Sequence, residues 1–181
     1  MQLKKMIITA FFTALLCISS YMVVPLGPVP HSLQPVFIFL TGLIIGPRQG
    51  AMSVLVWFAL GVMGLPVFAG GNSGIATFFG PTGGFLIGFL LCVVLVGYLT
   101  YDKCLCFGRV MLVMLLGITV VYVVGIIGFK YNMYYVFNKD LSWSVCFNLV
   151  VLPFIPFDLL KALLATYTGI KINKALNYLK K

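Results

Sequence analysis

The chain has 181 residues, of which 62% are hydrophobic and only 8% are charged, and its mean hydropathy is +1.14. About 25% of the residues of a soluble domain are charged, so this composition excludes a soluble fold and indicates an integral membrane protein. The net charge of +9 comes from 12 basic and 3 acidic residues. These basic residues stand at the ends of apolar segments, which excludes the solvated, aromatic-studded basic face that binds nucleic acid.

Six long apolar segments predict an all-α, six-transmembrane-helix bundle in a single domain over residues 1–181, rather than a β-barrel. The first segment follows two lysines as in a signal peptide, but no cleavage site follows it, so we expect a span. Proline suits a first helical turn, so the last helix should start near Pro156 and run to about Tyr178, with Ser144–Leu152 as an apolar lead-in. In chain order, the first five segments are Met6–Val24, Pro35–Gly46, Gly50–Met63, Pro81–Tyr101 and Val110–Phe129.

The basic residues are distributed unequally between the two ends of these segments. With the N-terminus inside, only Lys130 and Lys139 lie on the outer side, and Lys161 lies within the last helix. This asymmetry predicts a multi-pass protein of the bacterial plasma membrane with both termini cytoplasmic. Three long connections would then face outward and form a small cup: Pro25–Gln34, the stretch before the fourth helix, and Lys130–Trp143. The inner residues are Lys4, Lys5, Arg48, Lys103, Arg109, Lys171, Lys174, Lys180 and Lys181.

The outward stretch Gly64–Phe89 is rich in glycine and almost uncharged. Irregular backbone at a membrane is tolerated only where it is buried in protein or lines a cavity. Glycine also lets the backbone approach a ligand closely or adopt a positive φ. We therefore expect a binding-site wall here, with Gly70, Gly71 and Asn72 as substrate-binding candidates. The alternative is a structural turn in which Asn72 tolerates a positive φ.

Two ionisable residues, Asp158 and Lys161, stand inside the last apolar segment, where charge is costly. They are three residues apart, so they share one helix face, and we expect a substrate-binding pair facing the cup. The alternative is a structural ion pair at a helix start, where the dipole also favours aspartate. Gln34 can reach inward as a substrate-binding residue or cap the second helix. His31, in a proline-rich loop, is expected to be solvated or packed against the loop rather than catalytic.

Small residues recur at a spacing of four, which permits close packing of helices in lipid. Ala10 and Ala14 in the first helix are candidates for an outward face that docks a partner helix. Two other sets are expected to lie inside the bundle: Gly42 with Gly46, and Gly80 with Gly84 and Gly88.

The sequence offers little material for catalysis or metal binding. One histidine and three acids leave little from which to build an intramembrane lipid-modifying enzyme. A channel would need paired polar residues on several helices, and they stand on only one. Cys104 and Cys106 form a lone Cys-x-Cys that our topology separates from His31, so we expect no metal and no cofactor. No nucleotide-binding glycine loop is present, so an ATP-driven step would need another chain.

Three stretches form a specific combination: Pro25-Leu-Gly-Pro-Val-Pro-His-Ser-Leu-Gln34, Gly64-Leu-Pro-Val-Phe-Ala-Gly-Gly with Gly80-Pro-Thr-Gly-Gly84, and Pro153-Phe-Ile-Pro-Phe-Asp-Leu-Leu-Lys-Ala162. Together they resemble the BioY family, the biotin-binding S components of energy-coupling-factor (ECF) vitamin transporters, over nearly the whole chain. Two positions depart from the family pattern. His31 stands where an aliphatic residue is usual, and Phe157 stands where glycine usually precedes the aspartate.

The resemblance implies a high-affinity biotin binder that delivers its cargo with a membrane coupling subunit and a pair of ATPases. It also implies that Ala10 and Ala14 contact the coupling subunit. Another vitamin is the alternative cargo. Biotin carries a ureido ring with N–H donors and a carbonyl acceptor, an apolar body and a carboxylate. Asp158 and Asn72 suit the ureido edge, and Lys161 suits the carboxylate.

Overall fold

The computed structural model describes residues 2–24, 31–101, 103 and 105–178. The helices are α1 (Gln2–Ser19), α2 (Gln34–Val62), α3 (Gly83–Thr100), α4 (Phe107–Tyr135), α5 (Trp143–Val150) and α6 (Ile155–Tyr178). A two-residue hairpin of β1 (Val23–Val24) and β2 (His31–Ser32) pairs antiparallel between α1 and α2, and two 3-10 turns, Ala69–Gly71 and Ile75–Phe79, lie between α2 and α3. The predictions made for residues 25–30, Cys104 and the two C-terminal lysines lie outside the described residues.

Helix α2 contains both the second and the third predicted segments, broken at Gly46. This glycine has φ 80° and ψ −179°, a conformation that favours glycine, and Pro47 follows it. A Cβ placed on Gly50 would lie 3.7 Å from the Cα of Gly42, whereas eight residues of straight helix span about 12 Å. The chain therefore reverses at Gly46 into two antiparallel arms, residues 34–45 and 47–62. The predicted short inner connection is therefore confirmed in place but not in its bounds, because the turn lies at Gly46 and residues 47–49 already belong to the second arm.

The other predicted boundaries were close, with two corrections. Helix α1 ends at Ser19 rather than at Val24, and the hydroxyls of Ser19 and Ser20 bond back to the carbonyls of Leu16 and Cys17 as the chain turns toward β1. Helix α4 extends beyond the predicted segment at both ends, from residue 107 to residue 135. Hydropathy missed its last turns because polar residues stand there.

The described helices form the predicted all-α bundle of six segments: α1, the two arms of α2, α3, α4 and α6. By length and apolarity, α3 and α4 can each cross a membrane, and α5 with α6, bent by 50°, would make a further span. The 29 residues of α2 are divided between its two arms. Helix α5 is the predicted lead-in, and it starts at a cap in which the hydroxyl of Ser142 accepts from the amide of Val145. Which end of the bundle faces the cytoplasm stays a prediction.

Glycine contacts set the close approach of α3 to its neighbours, as the small-residue spacing predicted. A Cβ on Gly84 would lie 2.8 Å from the Cα of Gly128 in α4, and one on Gly42 would lie 2.7 Å from the carbonyl oxygen of Val93 in α3. Gly88 packs in the same way against Val121 of α4. Gly46 is buried as predicted, and a Cβ on Gly97 of α3 would lie 2.8 Å from its carbonyl carbon. Gly80 departs from the prediction, because it precedes α3 and is only half-buried.

Candidate functional site

The glycine-rich segment between α2 and α3, residues 64–82, folds over one end of the bundle. Gly70 and Gly71 have φ values of 75° and 76°, in the left-handed region that favours glycine. The amide of Gly70 donates to the carbonyl oxygen of Ser20 at the end of α1, 3.2 Å away. The predicted need for glycine is confirmed at these two positions, where it shapes the backbone of the segment.

Aromatic packing and the side-chain donors of Trp57 and Asn132 hold this segment in place. The ring of Phe68 lies edge-on against those of Trp57, Phe58 and Phe78, with centroids 5.4–6.4 Å apart. The indole nitrogen of Trp57 donates to the carbonyl oxygen of Val67 at 2.7 Å. These contacts bury Phe68 and direct the following residue, Ala69, toward the centre of the bundle. The segment is therefore an ordered wall.

Asn132 fixes the far end of the same segment to α4. Its side-chain amide donates to the carbonyl oxygens of Phe78, at 3.0 Å, and Gly80, at 2.8 Å. The side chain is buried, so the two bonds satisfy a donor that would otherwise cost about 1–3 kcal/mol. Sequence analysis missed this residue, because its partners lie more than 50 residues away in the chain.

Asp158 and Lys161 come together in the first turns of α6, as their spacing predicted. The ammonium of Lys161 donates to Oδ1 of Asp158 at 2.7 Å, and both side chains are about 90% buried. Oδ2 of the same carboxylate accepts from the hydroxyl of Tyr122 on α4, also at 2.7 Å. Sequence analysis missed Tyr122, although a single tyrosine in an apolar span is the kind of signal that points to a polar partner. The three residues form a polar cluster between α4 and α6.

Gln34 reaches inward from the first residue of α2 and is 1% exposed. Its Oε1 accepts from the hydroxyl of Ser32 at 3.2 Å, whereas its Nε2 has no hydrogen-bond partner among the described residues. It does not cap α2, whose N-cap is Leu33 without a side-chain bond. An unpaired buried donor costs about 1–3 kcal/mol, so this amide is poised to bond an acceptor brought by a ligand.

The polar cluster, the amide of Gln34 and the glycine-rich wall share one cavity. Its polar lining comes from β2, α2, α4, α6 and the residue before α3, and aromatic and aliphatic side chains make up the rest. The enclosed volume is about 50 Å³, well below the ~300 Å³ of a typical ligand pocket, so a ligand must displace side chains to enter. The lining residues are Ser32, Gln34, Pro35, Phe68, Ala69, Thr82, Phe85, Leu86, Phe89, Val121, Tyr122, Phe154, Asp158 and Lys161.

His31 packs behind this cavity rather than lining it. Its ring stacks on Phe154, with centroids 3.8 Å apart, and meets the edge of Phe157 at 5.3 Å. The two positions that depart from the resemblance therefore contact each other. Burial lowers the pKa of His31, and the nearby Lys161 lowers it further, while Asp158 opposes them. The expected solvated histidine was wrong, since the residue is only 5% exposed and its ring packs against the aromatic rings at the start of α6.

Other predicted residues lie away from the cavity. Asn72 is exposed, and its side-chain amide donates to the carbonyl oxygen of Ala69 at 2.8 Å, within its own turn. Gly70 and Gly71 follow Ala69 in the chain without lining the cavity themselves. Ala10 and Ala14 are both exposed on α1, whose Phe12, Thr13 and Leu16 are buried in the bundle. Ligand contacts by residues 70–72 stay predictions, and so does docking at the two alanines.

Known proteins resemble this chain over almost its whole length. The sequence profile of the BioY family matches residues 1–178. The biotin transporter BioY of Thermotoga maritima is 35% identical over 172 residues, 95% of this chain and 97% of that protein. A probable biotin transporter BioY of Pyrococcus horikoshii is 39% identical over 163 residues, 90% and 91% of the two chains. The fold matches the crystal structure of the S-component for biotin from an ECF-type ABC transporter with a TM-score of 0.82 and 33% identity, covering 96% of this chain and 92% of that one.

Proposed function

Since the chain belongs to the BioY family, we propose that it is the biotin-binding S component of an ECF transporter. It is a membrane transport protein and not an enzyme, and it acts in biotin uptake. We further propose that biotin binds in the cavity between α2, α4 and α6. The observation that carries this assignment is the unpaired amide of Gln34, buried beside the Asp158–Lys161 pair in that cavity.

The donors and acceptors of the cavity complement those of biotin. The Nε2 donor of Gln34 suits the ureido carbonyl oxygen or a carboxylate oxygen, and Asp158 can accept from the ureido N–H groups. Lys161 supplies a point charge for the biotin carboxylate once its ammonium swings away from Asp158, because the two groups are only 2.7 Å apart in the ligand-free structure and the two ends of biotin are farther apart. The aromatic and aliphatic walls suit the bicycle and the tail, because burial of apolar area contributes about 25 cal/mol per Å². The polar groups fix the orientation of the ligand, and the apolar walls supply most of its affinity.

The contact between Asp158 and Lys161 leaves both groups able to bind a ligand. A carboxylate offers about four lone-pair sites, and Asp158 uses one on each oxygen for Lys161 and Tyr122. An ammonium has three donors, of which Lys161 uses one here. The pair therefore neutralises its own charge in the ligand-free state and keeps capacity for further bonds. The same two residues therefore serve as a structural ion pair without ligand and as a substrate-binding pair with it.

Transport requires other subunits, since the chain has no nucleotide-binding loop. The ECF module supplies them, with a membrane coupling subunit and a pair of ATPases. We propose that Ala10 and Ala14 contact the coupling subunit. Both are small and exposed on α1, which lets a partner helix approach closely.

The site assignment is tested by titrating biotin into purified protein carrying Asp158→Asn or Lys161→Ala. Each change leaves a buried group without its charged partner, which costs about 2–5 kcal/mol, so we expect affinity to fall by well over tenfold. Asp140→Asn is the matched control, because it breaks the ion pair with Lys130 outside the cavity, where Asp140 is largely exposed. Thermal melting checks that each variant is folded. Parent-like binding by both cavity variants would place biotin elsewhere.

A further inference from the structure

A second cavity lies at the other end of the bundle, between α1 and the second arm of α2. It is a groove of about 440 Å³ that opens to the surface. Lys5 on α1 and Arg48 and Gln49 on α2 line one end, and Met52 and Val56 continue the α2 wall. Arg48 and Val56 are eight residues apart, so the groove runs about 12 Å along the helices, from a basic end to an apolar end.

Hydrogen bonds between the two helices fix the floor of this groove. The hydroxyl of Thr13 donates to the carbonyl oxygen of Ser53, and the hydroxyl of Ser53 donates to the carbonyl oxygen of Thr9, each at 3.1 Å. Both hydroxyls belong to buried residues. The helices are therefore clamped together along the groove, and its shape exists before any ligand binds.

No acidic side chain among the described residues pairs with Lys5 or Arg48. The chain has three acids; Asp140 pairs with Lys130 and Asp158 pairs with Lys161. The third, Asp102, lies outside the described residues. Among the described residues, no acidic group neutralises the basic end of the groove, which therefore attracts an anion.

We propose that this groove binds an anionic phospholipid, with its phosphate at Lys5 and Arg48 and part of an acyl chain along Met52 and Val56. A guanidinium binds phosphate oxygens through two parallel N–H bonds, and an ammonium adds a point charge. Basic pockets between transmembrane helices recognise such headgroups. The amphipathic lining favours a lipid over a free phosphate, which would leave the apolar wall uncovered. Because Ala10 also borders the groove, a partner helix that docks on this alanine displaces the lipid.

The test is native mass spectrometry of the detergent-purified protein with phosphatidylglycerol or phosphatidylcholine of equal chain length. The parent should retain phosphatidylglycerol preferentially. We expect Lys5→Gln with Arg48→Gln to reduce that retention at least about fivefold, because each basic residue near an anionic headgroup adds to the attraction. Lys4→Gln with Lys174→Gln is the matched control, since it removes the same charge from exposed residues outside the groove.

Four further results decide the outcome. Met52→Ser with Val56→Ser should also weaken the retention of phosphatidylglycerol. Millimolar glycerol phosphate should not displace the lipid. Displacement by glycerol phosphate would overturn the proposal in favour of a free phosphate site. If the Gln variants of the groove and of the control lose phosphatidylglycerol equally, the retention reflects general charge attraction and the proposal is overturned. If the groove variant keeps phosphatidylglycerol but no longer co-purifies with the coupling subunit, the groove belongs to that protein. Parent-like biotin binding confirms that every variant is folded.

Discussion

Replacing Gln34 by methionine should leave the stability of the ligand-free protein nearly unchanged and weaken biotin binding. The Nε2 donor of Gln34 is buried and unpaired, which costs about 1–3 kcal/mol, and methionine fills similar space without a donor. The change also removes the acceptor of the Ser32 hydroxyl, 3.2 Å away, and leaves that buried donor unpaired at a similar cost of about 1–3 kcal/mol. The two effects nearly cancel, so the unfolding midpoint of a chain of this length should shift by no more than about 2–4 °C.

Binding, by contrast, should weaken clearly. With methionine at position 34, the ligand acceptor that faced the amide is buried without a partner, and this costs about 1–3 kcal/mol. The dissociation constant for biotin should therefore rise by about tenfold. A residue that only supports the fold would lower stability and affinity together, so a loss of affinity without a loss of stability identifies a ligand contact.

The assay pairs thermal unfolding of the ligand-free protein with calorimetric titration of biotin. Gln49→Met is the matched control, because this glutamine lies on the same helix but lines the opposite groove. It should leave biotin affinity unchanged. The reasoning is refuted if Gln34→Met lowers the unfolding midpoint and binds biotin as tightly as the parent, since Gln34 would then serve only to pack α2.

Two further predictions concern α1 and β2. Ala10→Trp with Ala14→Trp should abolish biotin uptake in cells that supply the coupling subunits but leave biotin binding intact, since bulky rings hold off a partner helix; normal uptake, or lost binding, would contradict docking on this face. The thermal stability of the parent should fall as the pH drops below about 6.5. Burial and Lys161 lower the pKa of His31 in the folded protein, so the unfolded chain binds a proton there at a higher pH than the folded chain does. His31→Leu should reduce this acid sensitivity, and an unchanged slope would assign it to other groups.

Local sequence patterns predicted much of the fold and part of the site. The spacing of Asp158 and Lys161 placed both on one helix face because a helix has a fixed period. Apolar segments predicted the bundle, and the spacing of Gly84 and Gly88 predicted close packing. A short connection was predicted directly after Gly46, because glycine followed by proline is typical of one, but the reversal at the glycine itself was not.

The rest of the site depends on contacts between distant parts of the chain. Tyr122 bonds Asp158 across 36 residues, and Asn132 bonds Phe78 across 54 residues. Such partners are set by the rotation of α4 about its axis, which hydropathy does not determine. Asn72 was predicted from local sequence alone, but an asparagine between glycines suits a ligand contact and a turn equally well. In the ligand-free structure its side chain stays within the turn.

The central claim is that this protein binds biotin, and calorimetric titration of the purified parent protein with a panel of vitamins tests it most directly. The account predicts saturable 1:1 binding of biotin and far weaker or no binding of riboflavin and thiamine. The absence of a biotin signal, together with saturable binding of another vitamin, would contradict it.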